Sequence, residues 1–173
     1  MTGRDSADVS QVPARQLVAP AVVLDVSAQA AEDADFLLEV AHIKAFEADH
    51  GALPAGGWLL VRTGWDARSS DAAAYANEGH TPGISIECAR WLAEESPVQG
   101  VGVETVGTDA GLAHSFDPPF PCHSFLLGRG KFGLTQLQNL ASLPPVGSVV
   151  IAGPLPIVGG SGSPCRVLAL VER

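Results

Sequence analysis

Five short apolar runs, each bounded by glycine, proline or polar residues, constrain this chain most. They are AVVLDVS (Ala21 to Ser27), GWLLVRTGW (Gly57 to Trp65), VQGVGVET (near 98–104), SVVIAGP and CRVLALV. Runs of this length, rich in Val, Ile and Leu, read as strands, the first of them buried. HSFLLG, from His123 to Gly128, reads as a further short strand. Between the first runs the period changes. Val40, Ile43 and Phe46 recur at helical spacing, with Gly51 as a stop and Pro54 just beyond, which predicts a helix over 38–50. Ser85 is placed to cap a helix running to about Glu95, with Glu87 in its first turn favouring the dipole. LTQLQNLASL reads as a short helix closed by Pro144 and Pro145. Strands alternate with helices early and dominate late, so the fold class is α/β with a mixed sheet. The 173 residues are enough for one domain with a sizeable core, and no internal boundary divides them.

Composition removes several functions. Ten Lys and Arg against 19 Asp and Glu give a net charge of −9, which argues against nucleic acid or an anionic membrane as partner. Aromatic residues are 6% of the chain, too few for a base-stacking platform. No apolar run approaches membrane-spanning length, and MTGRDSADVSQVPARQ lacks the apolar region of a signal peptide. Cys88, Cys122 and Cys165 show no CxxC spacing and read as reduced thiols of a cytoplasmic protein.

The histidines separate by position. His42 and His50 share one predicted helix but point about 80° apart, a poor pair for one metal. His80 and His114 fall in loops, with His80 beside Pro82 and Gly83. His123 follows a loop containing Asp109 and Asp117 and opens an apolar segment, where a buried ring needs a partner. Glu104 and Asp109 flank the turn ETVGTD at the end of a predicted buried strand, the usual place for site residues in open α/β sheets. Two carboxylates near one imidazole suit Zn²⁺ or Mn²⁺ where they converge. The alternative is a hydrogen-bonded turn. GGSGSP precedes a strand and brings no Lys, so it is no phosphate loop, and it lacks the G-x-S-x-G of a nucleophile elbow.

Six segments in order carry a resemblance: LVAPAVVLDVS, FEADHGALPAGGWLLVRTGW, TPGIS, GVGVETVGTD, PCHSFLLGRGKFGLTQLQNLASLPPVG and PLPIVGGSGSPCRVLAL. From about Val12 to Val171 the chain resembles the bacterial cyclase family, which includes kynurenine formamidases and isatin hydrolases. The resemblance implies a mixed, barrel-like sheet with flanking helices. It implies a metal-dependent hydrolase that opens a cyclic amide or formamide, using Mn²⁺ or Zn²⁺, in a homodimer or larger homo-oligomer. The family's His-x-x-x-His-x-Asp-x-Pro-x-His string is absent here, so residues 1–173 correspond to the C-terminal two thirds of the family domain, read as one cyclase-like domain.

By the same resemblance His123 matches a family metal ligand. The formamidase glutamate twelve residues later is replaced by Thr135, with Gln136 beside it as a weaker amide ligand, a pattern closer to the isatin-hydrolase branch. Glu104, Asp109, His80 and Thr135 are expected around the metal ligands or the substrate. No residue is assigned as the catalytic group. The alternative is a catalytically inactive cyclase-fold protein with a binding or structural role.

Overall fold

The computed structural model describes residues 8–172. A six-stranded mixed sheet runs in the order β6-β5-β3-β1-β7-β8, formed by β1 (Val18–Asp25), β3 (Trp58–Arg62), β5 (Gly100–Val103), β6 (Phe132–Leu134), β7 (Ser148–Pro154) and β8 (Cys165–Leu170). The pairs β1–β3, β3–β5 and β5–β6 are parallel, whereas β1–β7 and β7–β8 are antiparallel. The sheet curls into a half-barrel flanked by helices. A small parallel pair joins β2 (Leu37–Leu38) to β4 (Gly83–Ile84). The helices are α1 (Ser27–Glu32), α2 (Val40–His50), α3 (Ala72–Ala76) and α4 (Ile86–Glu94).

Alternation along the strands builds two cores. Val22, Leu24, Leu59, Val61, Val101 and Val103 face the helices, where they meet Ile43 and Phe46 of α2 and Leu92 of α4. Ala21, Val23, Trp58, Leu60 and Val150 face the other way, against Leu134, Leu137 and Leu140. On that second face β5 has no side chain at Gly102. A Cβ there would lie 2.6 Å from Leu60 and 2.7 Å from Leu137, so the glycine lets Leu137 seat against the sheet.

Ser85 caps α4, its hydroxyl accepting from Cys88 N–H at 3.2 Å, as the sequence implies. The helix predicted over 38–50 begins at Val40, because Leu37 and Leu38 are taken up by β2. Two segments depart from expectation. HSFLLG is not a strand: Cys122–Leu126 forms a π-helical turn and Leu127–Arg129 a 3₁₀ turn. The turn is anchored by Asp109, which accepts Cys122 N–H at 2.6 Å. LTQLQNLASL contributes only the 3₁₀ turn Leu140–Ser142. Its first residues are the end of β6 and a bend at Gln136 with φ 58°. The Leu134, Leu137, Leu140 spacing that suggests a helix instead drops three side chains onto the sheet.

Lys131 ties the end of α4 to β6. Its Nζ donates to the carbonyls of Leu92 and Ser96, the latter at 2.9 Å, satisfying acceptors that a helix end leaves open. Lys131→Met keeps the stem and removes the donor. It is expected to cost about 1–2 kcal/mol, read as a lower urea midpoint at unchanged slope.

Candidate functional site

The parallel strands all end on one edge of the sheet. There β3 runs into Thr63, β5 into Glu104 and β6 into Thr135. Side chains for binding and chemistry gather at this carboxyl edge in open α/β sheets.

Glu104 is fully buried. Its Oε2 accepts from Thr63 N–H at 2.7 Å, Gly64 N–H at 2.6 Å and the Thr63 hydroxyl at 3.1 Å. Its Oε1 is buried without a partner among the described residues. Burial pushes the Glu104 carboxyl above its ordinary range. The Thr63 amide opposes that rise, and the nearby Asp66 charge adds to it. The Tyr75 hydroxyl donates to the Glu104 carbonyl. Glu104 therefore cross-links the ends of β3 and β5 from inside. Thr63, Gly64 and Tyr75 are hydrogen-bond neighbours of Glu104 that the sequence alone does not single out. The one signal for them is the polar Thr-Gly step that ends the apolar run WLLVR.

Asp109 and His123 come together. Asp109 is 6% exposed, while the His123 side chain is 49% exposed. His123 Nδ1 lies 2.5 Å from Asp109 Oδ2, which also accepts the His123 N–H at 3.3 Å. The carboxylate also holds Cys122 N–H, so it fixes both the backbone turn and the ring. With Nδ1 as the donor, Nε2 is left as the acceptor of the ring. This is how proteins orient a histidine that ligates a metal.

The other candidates lie apart from this pair. His80 bonds Asp35 at 2.8 Å, both at the surface, and its pKa is raised by that carboxylate. Its loop nevertheless touches the Asp109 segment, since Gly111 N–H donates to Thr81 C=O and Ile84 bridges Asp109. Thr135 and Gln136 are exposed and line a cleft of about 840 Å³, walled on its far side by β8. Gln136 N–H donates to Thr105 C=O at 2.9 Å, and Leu137 N–H to Val103 C=O at 3.0 Å. Asp66 Oδ2 accepts Asn139 N–H at 2.8 Å, so the Gln136 bend is clamped on both sides. His42 accepts the Glu39 N–H and His50 packs on Phe46, both in helix-end roles.

Among the described residues no three His, Cys, Asp or Glu side chains converge on one metal position. His123, held by Asp109, has the chemistry of a single metal ligand, while Gln136 lies apart from that pair in the cleft beside β8.

The Cyclase family model matches residues 2–110. The chain belongs to the cyclase family, and so by descent to a class of hydrolases. Within it, the chain is similar to isatin hydrolases. It is 43% identical to the isatin hydrolase of Roseibium aggregatum over 179 residues, covering 100% of this chain and 68% of that protein. Isatin hydrolase A from Ralstonia solanacearum superposes with a TM-score of 0.95 at 49% identity, over 99% of this chain and 68% of that one. An isatin hydrolase bound to the product analogue thioisatinate gives a TM-score of 0.95 at 42% identity, over 100% of this chain and 68% of that one. A potential metal-dependent hydrolase with cyclase activity, 20% identical with a TM-score of 0.72, shares the fold.

Proposed function

We propose that residues 1–173 form a single cyclase-like domain that takes part in opening a cyclic amide of the isatin type. In that reaction water adds to the amide carbonyl carbon, the C–N bond breaks and the ring nitrogen gains a proton. The observation that carries the reading is the Asp109–His123 pair, a buried carboxylate bonded to Nδ1 of a half-exposed imidazole. The similarity to isatin hydrolases supports the substrate class.

His123 and, more weakly, Gln136 are the residues offered to a Mn²⁺ or Zn²⁺ ion. Such an ion polarises a carbonyl and lowers the pKa of a bound water. A histidine and an amide are fewer than the three protein ligands of a usual catalytic zinc site, so the remaining ligands come from outside these residues. Asp109 acts behind His123 by fixing its tautomer. Glu104 holds the strand ends that frame the site, and Thr135 and His80 stand at its substrate side.

The test is to strip the purified protein, reload it with Mn²⁺ or Zn²⁺, and measure bound metal by mass spectrometry beside isatin ring opening by absorbance. Bound metal is expected to fall at least about tenfold in affinity in His123→Ala, and ring opening is expected to need the metal. Metal binding indifferent to His123→Ala overturns the ligand assignment. Bound metal without ring opening overturns the substrate reading and favours a binding role.

A further inference from the structure

Phe120 stands in the left-handed region of the backbone map, at φ 51°. A bulky side chain there crowds its own backbone, so the conformation persists only where the surroundings impose it. They do so from both sides. Phe120 N–H donates to Ala113 C=O at 3.0 Å, and Phe120 C=O accepts Ser124 N–H at 2.9 Å. Burial does not account for the outlier. Phe120 belongs to neither core and is 45% exposed.

What the conformation achieves is a position. The Phe120 and His123 rings meet edge-on at 78°, with centroids 6.4 Å apart. Both rings belong to the segment that Asp109 anchors through Cys122 N–H and His123 Nδ1. The carboxylate fixes the imidazole, and the two backbone bonds fix the residue that carries the phenyl ring. An apolar ring is thereby held in advance beside a polar anchor, the arrangement by which small-molecule sites combine contact area with orientation.

We propose that Phe120 is a specificity-determining residue, whose ring packs against the fused benzene ring of a planar cyclic amide while the polar end of that molecule is held at His123. The same contact serves the aromatic keto acid formed when the ring opens. The inference rests on the isatin-type reading and deepens it by naming the group that recognises the aromatic half of the substrate. That half offers no hydrogen-bonding atom, so only apolar contact can select it. The Asp109–His123 pair addresses polar groups alone. Phe120 is the aromatic ring that pairs with His123 among the described residues. Its strained backbone is retained for that placement, as strain is at ligand clamps.

Calorimetry on the Mn²⁺-loaded chain tests this, with thioisatinate as the aromatic ligand and pyruvate as a keto acid without a ring. Phe120→Leu is expected to weaken thioisatinate about 3–10-fold, the range of an aromatic pair, and to leave pyruvate unchanged. Phe120→Trp keeps a ring and is expected to retain thioisatinate. Phe120→Gly removes the ring and the crowding together. It is expected to weaken thioisatinate as Phe120→Leu does, yet to keep or raise the urea midpoint, because glycine adopts φ 51° freely. A ring kept for stability makes the opposite forecast, and a lowered midpoint in Phe120→Gly overturns the proposal. Pyruvate weakened as much as thioisatinate also overturns it. Wild-type binding of thioisatinate that is indifferent to Phe120→Leu and Phe120→Gly removes Phe120 and leaves the isatin-type reading standing. No binding of thioisatinate by the wild type overturns both.

Discussion

Glu104→Ala is expected to destabilise the fold by about 3 kcal/mol or more, because it strands two backbone donors in the interior. Thr63 N–H and Gly64 N–H lie 2.7 and 2.6 Å from Glu104 Oε2. The lost side chain also leaves a cavity at a position with no solvent exposure. Urea denaturation measures the loss, and a change within about 0.5 kcal/mol, typical of an ordinary surface substitution, would show that the carboxylate is not the link between β3 and β5. Glu104→Gln separates charge from shape. Burial raises the Glu104 carboxyl above its ordinary 4.5 in the folded chain, so the folded state holds this proton more tightly than the unfolded state does. The sign follows from that difference. The stabilisation is fully present below the unfolded value and is lost as pH rises through the raised folded value. Wild-type stability is therefore expected to decline relative to Glu104→Gln over that window. A difference between the two that stays flat with pH would remove the titration of Glu104 from the account.

Much of this arrangement is legible in the chain because short apolar runs mark strands, even in β8, which is largely exposed. The apolar runs that form β1, β3, β5, β7 and β8 are visible as strands since each is bounded by turn residues. The cap at Ser85 is visible because a hydroxyl before an amphipathic run has one obvious use. The failures are equally physical. Residues 123–128 carry a strand-like apolar pattern, yet their backbone is set by Asp109, a residue 14 positions earlier whose carboxylate nucleates a helical turn. Local propensity loses there to a long-range hydrogen bond. The 134–143 stretch has helical spacing but a left-handed bend at Gln136, held by the carbonyl of Thr105. For the site, proximity in sequence drew attention to Glu104 and Asp109 together, whereas the fold gives them separate tasks. Glu104 turns inward to β3 and Asp109 turns to His123. The direction of a side chain at a strand end depends on the neighbouring strand, which is far away in sequence.

Asp109→Asn is expected to be the most informative substitution at the proposed site, because it preserves volume while inverting a hydrogen bond. The carboxylate accepts at both oxygens, taking Cys122 N–H on Oδ1 and the His123 N–H and ring on Oδ2. An asparagine keeps one carbonyl oxygen, and the short bond to Cys122 N–H claims it. The amide then presents N–H to His123 Nδ1, which must accept, so the ring proton moves to Nε2. That nitrogen is the one left to ligate a cation, and protonated it can no longer do so. Metal affinity and ring opening are expected to fall together by about 10–100-fold, the usual effect of losing the group behind a metal-ligating histidine. Asp109→Ala removes all three acceptor contacts at a position only 6% exposed and is expected to cost several kcal/mol of stability besides, on the order of 3. A purely structural Asp109 makes a different forecast, in which both variants lose stability and neither changes the protonation of the ring. The ¹⁵N chemical shifts of the His123 ring report which nitrogen carries the proton. A shift pattern identical in wild type and Asp109→Asn would show that the carboxylate does not set the tautomer, whatever happens to stability.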